Sequence, residues 1–177
     1  MRSNMPGKDI VVDTCVASSA GNKLEAPHSR YSREVLYAIR DHAGHKLVFN
    51  TALAKEWRNH AGRLAVSLLT SMVHRRRVKY VPDDAFTGVM RNCAQFFVNE
   101  QTRAAFEKDA HVVAAALASD RIIVSNEVRL KDQIVHLSDR RDEIKGIIWA
   151  NPWQEGDSCA VWVRAGAQAD SGRTLGG

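Results

Sequence analysis

The chain is poor in the residues that organise small cross-linked or metal-stapled proteins. Its three cysteines, Cys15, Cys93 and Cys159, are far apart, odd in number and form no CxxC pair. That argues against a disulfide framework and a zinc ribbon. The seven histidines show no ligand spacing beyond His42 and His45, beside Gly44 at a helix end, where surface positions are expected rather than a zinc site. No run approaches the ~20 apolar residues that cross a membrane. The segment Met1 to Lys8 is polar and lacks the apolar centre of a secretory signal, so a soluble cytoplasmic protein is expected. There is no GxxxxGK[ST] phosphate loop, no internal repeat and no interior linker.

What remains suits one ordinary domain. The 177 residues are 45% hydrophobic, enough for a core, and carry a net charge of +5 with a pI near 9.3. A basic chain favours a polyanionic partner.

Short β-branched runs alternate with helical periodicity. Asp9–Asp13 reads as a buried strand ending in an acid. Gly21–Ser29 reads as a loop, and Ser32 as the cap of a helix carrying Val35, Leu36 and Ile39. Lys46–Phe49 is a second strand. Asn50 or Thr51 caps one long helix through Leu53, Trp57, Leu64, Leu68 and Met72, which ends in the basic run His74–Arg77. Val78–Val81 is a third strand, and Pro82, Asp83 and Asp84 open a further helix. Asp109–Ser119 is an alanine-rich helix, with Asp109 near its start. Arg121–Ser125 is a fourth strand, Val128 to Leu137 a helix, and Gly146–Trp149 a fifth strand closed by Asn151-Pro152. The small, polar residues after Trp162 read as a loose tail. This order predicts an α/β fold, a three-layer α/β/α arrangement around a mostly parallel sheet. Ligands in such sheets bind beyond the carboxyl ends of the strands.

Acids stand at those ends. Asp13 closes the first strand, Glu127 follows the fourth, Asp109 lies in the helix before it, and Glu56 lies in the helix after the second. Each has an ordinary alternative. Asp109 would suit a helix N-terminus, Asp13 a turn, Glu127 a helix cap, and Glu56 a solvated helix face. If the first and fourth strands are neighbours, about 4.8 Å apart, Asp13 and Glu127 share a crevice. Two carboxylates ~5 Å apart repel by about 3 kcal/mol at an effective dielectric near 20. Such a cluster needs a proton, a basic partner or a metal, and Mg²⁺ or Mn²⁺ matches an oxygen-only ligand set. Arg75, Arg76, Arg77 and Lys79 form the densest basic cluster, either a solvated helix end or a steering patch for phosphates. The tryptophans read mainly as packing residues, Trp153 and Trp162 being the better candidates for exposed contacts.

Four ordered stretches, Asp9-Ile-Val-Val-Asp13-Thr14, Thr51-Ala-Leu-Ala-Lys-Glu56, Asp109-Ala-His-Val-Val-Ala-Ala-Ala-Leu117 and Ile122-Ile-Val-Ser-Asn-Glu127, resemble the PIN domain family. The closing Trp149-Ala-Asn151-Pro152 suits it too. The resemblance covers residues 8–152 and leaves 153–177 as a C-terminal extension with a disordered end. It implies a ribonuclease dependent on Mg²⁺ or Mn²⁺, with Asp13, Glu56, Asp109 and Glu127 as the catalytic acids. Asp13, Asp109 and Glu127 would hold the metal, while Thr14 and Asn126 orient the acids. It further implies an RNA substrate and, as in many members, an antitoxin partner and a homodimer. Two positions depart from the family pattern. Glu127 stands where an Asp is usual, and Cys15 stands where a small polar residue is common. A PIN-like module that grips RNA or a partner without cutting is the alternative reading. A phosphotransfer domain with Asp13 as acceptor is a weaker one, because Asp9, four residues earlier, is the nearest second acid.

Overall fold

A computed structural model describes residues 6–21 and 26–176. Five strands form one sheet: β1 (Asp9–Val12), β2 (Lys46–Phe49), β3 (Val78–Tyr80), β4 (Ile122–Val124) and β5 (Ile148–Ala150). Their order is β3-β2-β1-β4-β5, and every pair of these strands is parallel. Ile10, Val11 and Val12 are buried, as are Ile122, Ile123 and Val124, so the two central strands are covered on both faces. Continuous β-branched runs of this kind are what a parallel sheet requires.

The helices divide into two layers. One holds α1 (Thr14–Ser19), α2 (Pro27–Asp41), α4 (Arg63–His74), α8 (Pro152–Glu155) and α9 (Asp157–Arg164), gathered around α2. The other holds α5 (Thr87–Ala94), α6 (Glu100–Leu117) and α7 (Val128–Ser138), with α6 lying on β1, β2 and β4. The helix α3 (Thr51–His60) touches both α1 and α6. The expected three-layer α/β/α fold is the observed one.

Several local expectations changed. The long helix after β2 is two helices, α3 and α4, parted at Ala61-Gly62. The Gly62 amide turns aside to bond the Ala17 carbonyl at 3.0 Å, and a side chain there would crowd the Ala20 carbonyl. Asn50 is the cap, its side chain accepting from the Leu53 amide at 3.0 Å. Ser32 caps nothing: α2 begins at Pro27, and Ser32 is a buried hydroxyl inside it. Of the loop expected over Gly21–Ser29, residues 22–25 lie outside the described residues, as does Met1–Met5 of the polar start. His45, expected at the surface, is fully buried between the Lys8 amide and the Val163 carbonyl.

The C-terminal segment differs most from its expectation. Cys159, Ala160 and Val163 of α9 are buried against α2. The chain then returns along the outer edge of β5. The Trp149 amide bonds the Arg173 carbonyl, the Leu175 amide bonds the Ile147 carbonyl, and Thr174 bridges Ile148 in antiparallel sense. Arg173 pairs with Glu155 and Asp170 and lies over the Trp162 ring. The segment covers an otherwise open sheet edge, which composition alone could not reveal. Among the described residues no helix is long and apolar enough to cross a membrane.

Candidate active site

The sheet order has its switch point between β1 and β4, since the chain runs outward from β1 through β2 to β3 and then returns to β4 on the other side. Val12 is in register with Val124. The residues just beyond, Asp13 and Ser125, therefore emerge side by side at the carboxyl edge, and the Asp13 amide bonds the Val124 carbonyl at 3.0 Å. This is the crevice where open α/β sheets bind ligands.

The Asp13 carboxylate accepts a 2.6 Å bond from the Ser125 hydroxyl and a 3.4 Å contact from the Cys15 thiol. Ser125, fully buried, in turn accepts from the Glu127 amide at 3.0 Å. Burial, followed by the charge of Asp13, pushes the Cys15 thiol up to about 12. Cys15 thus acts here as a neutral donor.

Asp109 joins this pair from the opposite layer. It lies in the middle of α6, whose cap is Asn99, accepting from the Thr102 amide. The N-terminal role considered for Asp109 is thereby removed, because helix-end effects fade beyond the first turn. The helix starts earlier than expected because its first two turns are mostly polar, with Phe106 the first residue buried, ahead of the alanine-rich run from Ala110. Burial raises the Asp109 carboxyl above its ordinary value; Asp13 and then Glu127 raise it further, while Lys108 and Arg129 oppose them. Arg129 stands 3.8 Å away, its side chain 60% exposed, so solvent screens the pair. Asp109 is thus close enough to feel both Asp13 and Glu127, and Arg129 neutralises it incompletely.

Glu127 also caps α7, its carboxylate accepting from the Arg129 amide at 3.3 Å. The capping alternative is real and coexists with its place in the acidic group. Glu56 belongs to an adjoining group: it accepts from the Thr14 hydroxyl at 3.2 Å and stands 3.2 Å from His111 Nε2. Thr14, expected to orient Asp13, orients Glu56 instead, because the first turn of α1 carries its side chain toward α3; Ser125 is the hydroxyl that holds Asp13. Asn126 also turns away, bonding Ser32 and the Trp153 amide, and so ties β4 to α2 and α8.

His111 went unassigned in the sequence. Its Nδ1 bonds the Lys108 carbonyl at 3.0 Å, so Nδ1 carries the proton and Nε2 faces Glu56. The Nε2 atom is buried and its contact with Glu56 is not aligned as a hydrogen bond. Two residues apart on α6, Asp109 and His111 point in diverging directions, which is why one helix serves both groups.

The basic cluster is elsewhere. Arg75, Arg76, Arg77 and Lys79 lead into and along β3, at the amino edge of the sheet, whereas the acids lie at the carboxyl edge. Arg77 is buried and donates to the carbonyls of Arg40 and His42. Lys79 pairs with Asp9 at 2.6 Å. Two of these four cations thus hold the fold, and the parallel topology separates all four from Asp13.

The donor chemistry suits a hard divalent cation: three carboxylates, with Asp109 only partly compensated by the exposed Arg129. The arrangement is not a closed ligand set, for among the described residues no three His, Cys, Asp or Glu side chains converge tightly enough to hold one ion as they stand. Protein donors occupy the positions a cation would take: Ser125 on Asp13, the α7 amide on Glu127, and Arg129 beside Asp109.

Comparison with family models, curated proteins and solved structures finds no match to this chain.

Proposed function

We propose that the protein is a metal-dependent endoribonuclease of PIN-like type, hydrolysing phosphodiester bonds at the Asp13, Asp109 and Glu127 crevice. The observation that carries this reading is the placement of the half-buried Asp109, in the middle of α6, beside two further acids at the switch point of the sheet. Three half-buried carboxylates gathered at one strand-end crevice, with one exposed Arg129 as the nearby cation, suit a cation-binding role. The resemblance of the four sequence stretches supports the same conclusion.

In this reading Asp13, Asp109 and Glu127 hold Mg²⁺ or Mn²⁺, for which Glu127 must leave its capping bond and Arg129 must swing outward. A cation held by these three carboxylates would supply charge neutralisation at the phosphate and a more acidic bound water. Ser125 and Cys15 hold Asp13 in one orientation. Thr14 holds Glu56 beside the site, with the His111 ring alongside, where its carboxylate can receive a proton from the attacking water. No side chain acts as nucleophile. A homodimer and an antitoxin partner belong to this proposal through the resemblance.

The deciding experiment compares RNA cleavage by the wild type and Asp109→Asn, with and without added Mn²⁺. Cleavage that needs Mn²⁺ and disappears in the variant supports the reading; equal cleavage by both ends it. A non-cutting RNA-binding module is favoured by one observation, the occupation of all three acids by protein partners. Metal titration separates the two: a module of that kind takes up no cation.

A further inference from the structure

A cavity of about 570 Å³ opens between α3, α5 and α6, within the range of sites that hold one small ligand. Its floor is apolar: Met90, Ala110 and Ala114, all nearly buried, with exposed Ala52 at the rim. Lys55 and Arg91 line it as well. Both are exposed, and neither has an ion pair among the described residues, unlike Lys79. Glu107 and Asp83 add exposed carboxylates, Asp83 accepting from the Thr51 amide at 2.7 Å. One wall is His111, whose ring also contacts Glu56, so the cavity adjoins the Glu56 group that lies beside the acids.

We propose that this cavity is a nucleotide subsite, receiving one unstacked ribonucleotide of a single strand whose neighbouring phosphate lies at the acids. The proposal rests on the nuclease reading above and extends it to substrate recognition. The mixed lining favours this occupant. Lys55 and Arg91 suit backbone phosphates, while Asp83 and Glu107 suit the hydroxyl and amine donors of ribose and base; a purely apolar peptide would leave all four unused. The base would enter between the α6 alanines and Met90, whose polarisable sulfur packs well against an aromatic ring. Glu107 is an acceptor for an exocyclic amine, which gives cytosine, adenine or guanine an advantage over uracil.

The test measures binding of a short fluorescein-labelled single-stranded oligoribonucleotide of mixed sequence to the full chain in EDTA, where cutting is suppressed. The variants are Lys55→Ala/Arg91→Ala, Ala52→Trp to block the mouth, and Arg75→Ala/Arg76→Ala as a charge-matched control. All altered side chains are exposed, so folding should be kept, and a melting curve checks it. The first two variants should weaken binding about tenfold, as expected for losing a stacked base or its phosphate contacts. The double cation variant should also lower the salt slope of log K by about 1.4, two phosphates at ~0.7 each. The control should change the affinity less than either. No binding by wild type, or unchanged affinity in the first two variants, overturns the subsite. Loss in Ala52→Trp alone, with the affinity and salt slope of the cation variant unchanged, shows that Lys55 and Arg91 meet no phosphate and also overturns it. The nuclease reading fails separately: Asp109→Asn cleaving like wild type sinks it whatever the binding shows, and Asp109-dependent cleavage with unaltered binding leaves it standing while the subsite falls.

Discussion

The Ser125 hydroxyl donates to Asp13 at 2.6 Å while accepting from the Glu127 amide at 3.0 Å, so one buried oxygen joins the end of β1 to the start of α7. Ser125→Ala would leave that amide without its acceptor and Asp13 with only the weak thiol contact. Leaving buried polar groups unsatisfied costs roughly 1–3 kcal/mol. Urea unfolding should show a loss of that size, and an unchanged midpoint would contradict the bridging role.

Asp109 should destabilise the cation-free protein at neutral pH. Its folded carboxyl is raised, first by burial and then by Asp13. Its stabilising contribution is therefore complete below the unfolded value near 3.8 and is lost as pH rises through the folded one. Asp109→Asn should melt higher than wild type at pH 7 in EDTA, with the gap narrowing as pH falls toward 4. Saturating Mn²⁺ should reverse the ranking by stabilising wild type alone, by ~2.7 kcal/mol at a hundredfold excess over Kd. A variant that melts lower than wild type in EDTA would refute the electrostatic account.

His45 makes the fold acid-sensitive in a defined window. Burial lowers it from 6.5 to about 4. Its Nδ1 accepts from the Lys8 amide and its Nε2–H donates to Val163, so a second ring proton would face a donor. Here the folded value is depressed. The contribution is present above 6.5 and is lost as pH falls toward 4, by roughly 3 kcal/mol. Wild type should lose stability across that window, and His45→Gln should lose less. Parallel curves for the two proteins would exclude His45 as the source.

The Cys15 thiol should be inert in the native protein despite standing in the crevice. At about 12, its thiolate fraction at pH 8 is roughly one part in ten thousand. Burial pushes the Cys93 and Cys159 thiols up as well. A thiol reagent should label none of the three in the folded protein and all three in guanidinium. Rapid native labelling of Cys15 would show that the crevice is not closed around it.

Strand runs such as Ile10-Val11-Val12 and Ile122-Ile123-Val124 were legible because burial on both faces demands unbroken apolar sequence. The acids Asp13 and Glu127 were legible because they directly follow such runs. Hidden from the sequence were partners separated by long stretches of chain: Ser125 on Asp13, and His111 and Thr14 on Glu56. Neither spacing nor composition encodes which hydroxyl meets which carboxylate across a sheet. Arg75 to Lys79 misled for the same reason, since a dense charge run says nothing about which edge of the sheet it occupies.

By itself, then, the sequence determined the alternation of strands and helices, the parallel character of the sheet and the presence of acids at strand ends, because each follows from local periodicity. The tertiary structure alone decided that Asp109 lies in mid-helix against Asp13, that the basic run holds the far edge, and that the C-terminal segment seals β5. Those outcomes depend on strand order and register, which arise when distant segments compete to bury the same apolar faces and which no local window of residues contains.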